Sequence, residues 1–151
     1  MAVFYSFYYN RDSKRVQQVI NMGVLDGQPI LSAQKWEEIK NQGAGAIQKW
    51  ITDQMKYKTA VVVLVGAQTA GRPWVQYEIE KAWDENKPLL GIRIHGLADP
   101  SDGRDYAGKN PFSSISSYIP LFDPTGPNGS ATYNTLAANL RTWASSGVSR
   151  T

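Results

Sequence analysis

Six consecutive apolar residues, Ala60–Val65 in the stretch AVVVLV, constrain the fold of this 151-residue chain more than any other feature. A half-buried strand alternates apolar and polar residues, whereas this valine-rich run is apolar on both of its faces. Such a strand belongs in the centre of a parallel sheet that helices cover on both sides. Even when extended to Ala67, the run is far too short to span a bilayer, so the sequence predicts no association with a membrane.

Segments with strand and helix patterns alternate along the rest of the chain. The predicted strands are residues 3–8, 29–31, 60–65, 89–94 and 118–122. The predicted helices are residues 12–22, 36–55, 73–86 and 131–144, with Asn10 and Asp12 as candidate caps of the first. Glycines in the stretch GAGA (residues 43–46) leave open whether the second helix is one kinked helix or two separate helices.

This alternation predicts an α/β protein with a flavodoxin-like three-layer fold and a central parallel sheet of about five strands in the order 2-1-3-4-5. The chain has the length of one ordinary domain, so residues 1–151 are predicted to form a single domain. In that order the first and third strands are neighbours where the winding reverses, and ligands bind beyond their carboxyl ends. The loops that meet there, residues 8–12 and 67–74, are therefore predicted to flank a site.

The composition excludes several kinds of site and partner. The chain has no cysteine, which excludes disulfides and thiolate metal sites. Its single histidine, His95, leaves little material for a zinc site or a histidine-based triad. Its net charge of +3 comes from scattered basic residues, so nucleic-acid binding is not expected. The opening MAVFYSFYY lacks the basic start and the cleavage site of a secretory signal, and the expected location is the cytoplasm.

A long loop, residues 95–117, is rich in Gly, Pro, Asp and Ser. Loops of this length inside a compact domain are usually functional or disordered. The motif NPF, from Asn110 to Phe112, is a candidate turn for docking this loop on the domain.

The segment RPWVQYEIEKA, residues 72–82, begins the helix that follows the central strand. Pro73 suits the first helical position, and Trp74 lies one turn before Glu78 on the same side of the helix. Glu78 borders the apolar stripe, and the helix dipole favours an ionised carboxylate there at neutral pH. Geometry leaves two interpretations open: an exposed Glu78 that pairs with Lys81 at i+3, or a working carboxylate beside an indole at the lip of the crevice.

Two stretches carry a resemblance to a known family. VFYSFYYNRD is similar to the first strand and loop of the Toll/interleukin receptor (TIR) superfamily, and VVVLVGAQTAGRPWVQYEIEKAWDENKPLLGIRI is similar to its central strand, Trp-Val-x-x-Glu-Ile helix and following strand. Within the superfamily the chain resembles the bacterial TIR-like proteins of Thoeris anti-phage defence, and NPF is a further bacterial feature. The resemblance is strongest in the first strand and over residues 59–94.

The resemblance implies that Glu78 is the catalytic residue in the breakdown of NAD⁺. It also implies that the loop after the first strand and the region around Trp36 line the NAD⁺ pocket. The expected substrate-binding residues are Ser6, Phe7, Tyr8, Trp36, Thr69 and Trp74. Some TIR domains carry a basic pair after the first strand, where this chain has Tyr8 and Tyr9. Core packing is the alternative role for Phe7 and Trp36, whereas Tyr8 and Trp74 are candidates for stacking on nicotinamide or adenine.

The implied function is that of an NAD-consuming enzyme that cleaves the nicotinamide–ribose bond of NAD⁺, with NAD⁺ as substrate and no resident cofactor or metal. Its product would be a signal derived from ADP-ribose, either a cyclic ADP-ribose isomer or an ADP-ribose conjugate, which a downstream effector protein reads. The resemblance also allows for a homo-oligomer. Two alternatives remain open: a non-enzymatic TIR signalling or assembly module, and a nucleoside deoxyribosyltransferase-like enzyme, which shares the α/β layout and a catalytic glutamate.

Overall fold

Four strands and five helices follow one another along the computed structural model, which describes residues 1–151. The strands are β1 (Val3–Ser6), β2 (Ala60–Val65), β3 (Leu89–Arg93) and β4 (Leu121–Phe122). The helices are α1 (Tyr9–Asn21), α2 (Ala33–Asn41), α3 (Ala44–Met55), α4 (Pro73–Asp84) and α5 (Gly129–Ala144). All strands are parallel and lie in the order β1-β2-β3-β4. The predicted α/β class and the predicted pairing of the first strand with the AVVVLV strand are confirmed.

Strand β2 lies inside the sheet, as its unbroken apolar run predicts. All six of its residues are buried, and successive side chains point to opposite faces. Ala60, Val62 and Leu64 pack with α1 and α5 on one face. Val61, Val63 and Val65 pack with α3 and α4 on the other face. Burying one such valine stabilises the fold by roughly 1.5–3 kcal/mol, so the sheet centre contributes heavily to stability.

The strand predicted at residues 29–31 does not form, so the sheet has four strands instead of about five. The chain still follows the free edge of β1, where Asp26 makes a parallel bridge to Ala2. Beyond that bridge, the Gln28 amide accepts a hydrogen bond from the Tyr5 N–H (2.8 Å) and donates one to the Tyr5 carbonyl (2.7 Å). Pro29 has no N–H to continue a backbone ladder, and a side chain therefore takes the place of the missing strand.

The region between residues 33 and 55 forms two helices, which decides between the two alternatives that the sequence left open. Gly43 adopts φ +98°, a conformation that residues with a Cβ rarely take, and it separates α2 from α3. Ser32 caps the start of α2 by accepting a hydrogen bond from the Lys35 N–H at 3.2 Å. No helix in the structure combines the length and the apolar character needed to cross a membrane.

Helix α1 begins three residues earlier than predicted, at Tyr9, and neither Asn10 nor Asp12 acts as its cap. Asp12 is fully buried instead, and its Oδ1 lies 3.0 Å from Nη1 of Arg15, whose side chain is 2% exposed. Arg15 also donates hydrogen bonds to the carbonyls of Leu97 (3.0 Å) and Gly103 (2.8 Å). This buried ion pair therefore joins α1 to the long loop after β3.

The long loop packs over the carboxyl ends of the strands. Arg93 at the end of β3 donates a hydrogen bond to the Gly108 carbonyl at 2.7 Å, and Gly108 lies directly against the backbone of Gly66 after β2. Asn110 accepts a hydrogen bond from the Phe112 N–H at 2.8 Å, and the Phe112 ring is fully buried. The NPF turn thus docks the loop, as the sequence suggested. The predicted strand 118–122 shortens to β4.

Candidate active site

Two polar residues from different elements meet on the α3–α4 face of the sheet. Ser6 is the last residue of β1, and Glu78 lies in the second turn of α4. The Ser6 hydroxyl donates a hydrogen bond to Oε1 of Glu78 at 2.7 Å. Glu78 is only 8% exposed, and Lys81 pairs with Glu85 at 2.8 Å instead. The interpretation of Glu78 as an exposed residue paired with Lys81 is therefore wrong.

Burial raises the pKa of Glu78 to about 8, and the hydrogen bond from Ser6 opposes this shift only in part. The expectation that the carboxylate is ionised at neutral pH is therefore wrong for the unliganded protein. A helix dipole favours a nearby charge by about 0.3–1 kcal/mol, whereas removing a carboxylate from water costs several kcal/mol. The cost of desolvation exceeds the contribution of the helix dipole, so most Glu78 side chains carry a proton at pH 7.

This raised pKa predicts a pH-dependent stability difference between the wild type and Glu78→Gln. The folded protein holds the Glu78 proton more tightly than the unfolded chain, where the pKa is near 4.5, so wild-type stability falls as pH rises from about 4.5 to 8. Glutamine does not titrate. We expect Glu78→Gln to be close to the wild type in stability at pH 5 and to be more stable by about 4 kcal/mol at pH 9. Urea unfolding at both pH values measures this difference; parallel stability profiles would place the Glu78 pKa in its ordinary range.

An aromatic cleft, here called the Glu78 cleft, surrounds this carboxyl group. One wall is aromatic, and the opposite wall is the segment that runs beside the edge of β1. The lining residues are Tyr5, Phe7, Tyr9, Gln28, Pro29, Ile30, Leu31, Trp36, Trp50, Trp74 and Glu78. Trp36 and Trp50 meet edge to face with ring centroids 6.1 Å apart. The cleft therefore offers flat apolar surfaces for a planar ring and one carboxyl group for a polar or cationic centre.

The structure brings four of the six predicted substrate-binding residues to Glu78. Ser6 contacts it directly, and Phe7, Trp36 and Trp74 line the same cleft. Trp74 lies one helical turn before Glu78, as the spacing predicted.

The other two predicted residues lie outside the Glu78 cleft. Tyr8 does not line the Glu78 cleft, and its ring stacks under Arg72, with the guanidinium carbon 3.8 Å from the ring centroid. Thr69 is fully buried, and its hydroxyl accepts a hydrogen bond from the Gly66 N–H at 2.8 Å, which holds the turn after β2. The two loops predicted to meet, residues 8–12 and 67–74, do so through the Tyr8–Arg72 stack.

Four parts of the cleft were missing from the sequence-based set: Tyr5, Tyr9, Trp50 and residues 28–31. Trp50 fits the apolar face of α3, and nothing in its spacing separates a core role from a role in the cleft. Residues 29–31 were predicted to form a strand because the turn-rich stretch around them has room for one. The proline in that stretch was the signal against a strand, since proline rarely lies within a ladder.

The fold and the site together define a class: a TIR-like α/β domain with a buried carboxyl group in an aromatic cleft beside its first strand. Residues 4–99 match the family model for the TIR-like domain of the Thoeris protein ThsB, a span that contains both Ser6 and Glu78. The chain belongs to this family of Thoeris TIR-like proteins.

Two known proteins resemble the chain over most of its length. A protein of Bacillus cereus (strain MSX-D12), named "Putative cyclic ADP-D-ribose synthase ThsB1", is 30% identical over 136 residues, covering 82% of this chain and 71% of that protein. The solved structure of the Clostridium botulinum CMP N-glycosidase BcmB superposes with a TM-score of 0.51 over 93% of this chain and 98% of that one. Because the sequence identity to BcmB is 13%, this likeness shows the fold alone.

Proposed function

We propose that this protein is an NAD-consuming enzyme of Thoeris anti-phage defence that cleaves the nicotinamide–ribose bond of NAD⁺ with Glu78 as its catalytic residue. The observation that carries the proposal is the buried Glu78 carboxyl, held by Ser6 at 2.7 Å in an aromatic cleft. The B. cereus relative supports it, because its name assigns the synthesis of cyclic ADP-ribose to that protein. Ser6 is a positioning residue in this scheme, since it contacts the carboxyl oxygen of Glu78.

The chemistry of the bond suits a site with one carboxylate. The ribose C1′–N1 bond breaks with its electron pair going to N1, so nicotinamide leaves as a neutral molecule and needs no general acid. Ordinary glycosides require two carboxyl groups because their leaving oxygen must be protonated. Positive charge develops on the ribose, and an ionised Glu78 beside it stabilises that charge in a site that excludes most water. Trp36 and Trp74 provide the faces on which the departing ring stacks.

The identity of the nucleophile decides the product. When a hydroxyl or ring nitrogen of the same molecule attacks C1′, the products are nicotinamide, a cyclic ADP-ribose isomer and a proton. Attack by a separate acceptor gives an ADP-ribose conjugate instead. The name of the B. cereus relative favours the cyclic product. We propose that the product is a cytoplasmic signal read by a separate effector protein, and that the enzyme acts as a monomer or as a homo-oligomer.

The raised pKa of Glu78 predicts the pH profile of the reaction. The ratio kcat/KM reports the free enzyme, in which only the ionised form of Glu78 is competent. We expect kcat/KM to rise with pH and to level off above about 8, because the pKa of Glu78 is about 8. Ser6→Ala removes the hydrogen bond that lowers this pKa, so its profile should shift to higher pH. Initial rates between pH 6 and 9.5 measure both profiles, and a flat profile would contradict the assigned role of Glu78.

The function itself is tested by incubating the purified protein with NAD⁺, with and without lysate from phage-infected cells, and identifying products by mass spectrometry. Nicotinamide together with a cyclic ADP-ribose isomer or an ADP-ribose conjugate supports the proposal. A parallel reaction with deoxynucleosides tests the deoxyribosyltransferase alternative, which predicts base exchange and no loss of NAD⁺. Hydrogen exchange over residues 67–83 tests the non-enzymatic alternative, which predicts no protection by NAD⁺.

A further inference from the structure

A second cleft adjoins the Glu78 cleft and differs from it in charge. The two clefts share Phe7, Tyr9, Trp36 and Trp74, so they form one continuous surface. The second cleft, here called the Arg72 cleft, has the lining residues Phe7, Tyr8, Tyr9, Asn10, Trp36, Lys40, Arg72, Pro73, Trp74 and Val75. Its charged residues are the cations Lys40 and Arg72, whereas the ionisable group near Ser6 in the Glu78 cleft is a carboxyl group. A ligand that spans both clefts therefore meets an acid at one end and two bases at the other.

Arg72 is held in place without a carboxylate partner. Its Nε donates to the Gln68 carbonyl at 3.2 Å, its Nη2 donates to Oε1 of Gln68 at 3.0 Å, and its plane lies over the Tyr8 ring. No carboxylate pairs with it, although Arg11 and Arg15 each pair with an aspartate. The Nη1 group of Arg72 keeps its N–H donors free. A fixed guanidinium with free donors is well prepared to bind an anion.

The other surroundings of Arg72 also favour an anion. Helix α4 begins directly after Arg72 and has no side-chain cap, so the positive end of its dipole is not occupied by a protein oxygen. Lys40 on α2 lines the same cleft, and its only ionic partner is the exposed Glu37 at 3.2 Å. Glu78 lies six residues along α4 from Arg72, a rise of about 9 Å along the helix axis. The aromatic side chains shared by the two clefts connect the part of the surface at Arg72 with the part at Glu78.

We propose that Arg72, assisted by Lys40, binds the diphosphate of the dinucleotide while its nicotinamide riboside end lies against Glu78. This inference rests on the proposed function, because it names the part of the same substrate that the Arg72 cleft holds. Phosphate oxygens accept hydrogen bonds from the paired N–H groups of a guanidinium. The bases and sugars can pack against the aromatic side chains that line both clefts. Arg72 thereby sets the preference for a dinucleotide over a nucleoside with the same nicotinamide end.

Calorimetric titration of a Glu78→Gln background, which stops turnover, tests this assignment with three probes: NAD⁺, ADP and nicotinamide riboside. Adding Arg72→Gln should lower the affinities for NAD⁺ and ADP about 10- to 100-fold, the range expected for the loss of charge-assisted hydrogen bonds. The affinity for nicotinamide riboside, which has no phosphate, should change less than about twofold. Arg141→Gln removes an equal charge from the exposed end of α5 and should leave all three affinities unchanged.

The possible outcomes separate this proposal from the proposed function. If Arg72→Gln weakens the binding of NAD⁺ and of nicotinamide riboside equally, the Tyr8–Arg72 stack has a structural role and the proposed phosphate site is wrong. No change with any probe, or no binding of ADP to the wild type at millimolar concentration, would overturn it as well. If the wild type binds ADP through Arg72 and releases no nicotinamide from NAD⁺, the phosphate site stands and the proposed function fails.

Discussion

Glu78→Gln is expected to abolish nearly all nicotinamide release, with a fall in kcat of about 100- to 1000-fold, while the fold stays intact. An electrostatic group aimed at developing charge typically contributes a factor of 10² to 10³, and Glu78 is the only acidic residue that lines its cleft. Glutamine has the same shape and keeps an oxygen that accepts the hydrogen bond from Ser6. The variant therefore removes the charge and little else.

The matched control for this prediction is Glu80→Gln on the same helix. Glu80 is exposed and lines neither the Glu78 cleft nor the Arg72 cleft, so its variant should retain wild-type turnover. Nicotinamide release is followed by chromatography, and circular dichroism at pH 6 verifies that both variants are folded. Undiminished release by Glu78→Gln would remove this residue from the mechanism, whatever the behaviour of the control.

Asp12→Ala is expected to lower the free energy of unfolding by about 3 kcal/mol, the largest loss of stability that we predict for a single substitution. Removing one partner of a buried ion pair costs about 3–5 kcal/mol, because the other charge stays buried without compensation. The lower end applies here, since Arg15 keeps its hydrogen bonds to the carbonyls of Leu97 and Gly103 and has a second carboxylate, that of Asp105, 3.9 Å from its Nη1. Urea denaturation at pH 7 measures the loss.

A double variant separates the cost of the unpaired charge from the worth of the pair. Burial raises the pKa of Asp12 despite its pairing with Arg15, so the intact pair itself contributes little to stability. Replacing both residues, as in Asp12→Ala with Arg15→Met, should therefore restore much of the loss. Asp53→Ala, which breaks the exposed pair with Lys49 (2.7 Å), should cost less than about 1 kcal/mol. Equal losses from Asp12→Ala and Asp53→Ala would show that burial does not strengthen the effect.

The sequence predicted the features that depend on local patterns. The run Ala60–Val65 predicted a central parallel strand, and Pro73 predicted the start of α4 at the residue where the structure has it. The spacing of Trp74 and Glu78 placed both on one side of that helix, and both line the Glu78 cleft. Each of these features follows from two or three neighbouring residues, so a single sequence was enough.

Features that depend on contacts between distant residues could not be predicted from the sequence. The proton on Glu78 reflects burial under side chains from β1, α2 and α3, whereas its local surroundings on α4 favour the ionised form. Tyr8 was expected beside Glu78 with Phe7, but its ring stacks on Arg72 from another loop and does not line the Glu78 cleft. In the sequence nothing distinguishes Thr69 from other polar loop residues. Only the structure shows that its hydroxyl accepts a hydrogen bond from the Gly66 N–H.

The Gln28 amide that replaces a second strand has a consequence for how molecules reach Glu78. The segment 28–31 walls the cleft, yet at Gln28 its attachment to β1 consists of two hydrogen bonds from one side chain. Each contributes about 1 kcal/mol net, so swinging this flap outward costs far less than unfolding the sheet. We therefore expect residues 28–31 to open locally and to admit a ligand to Glu78 while all four strands stay paired.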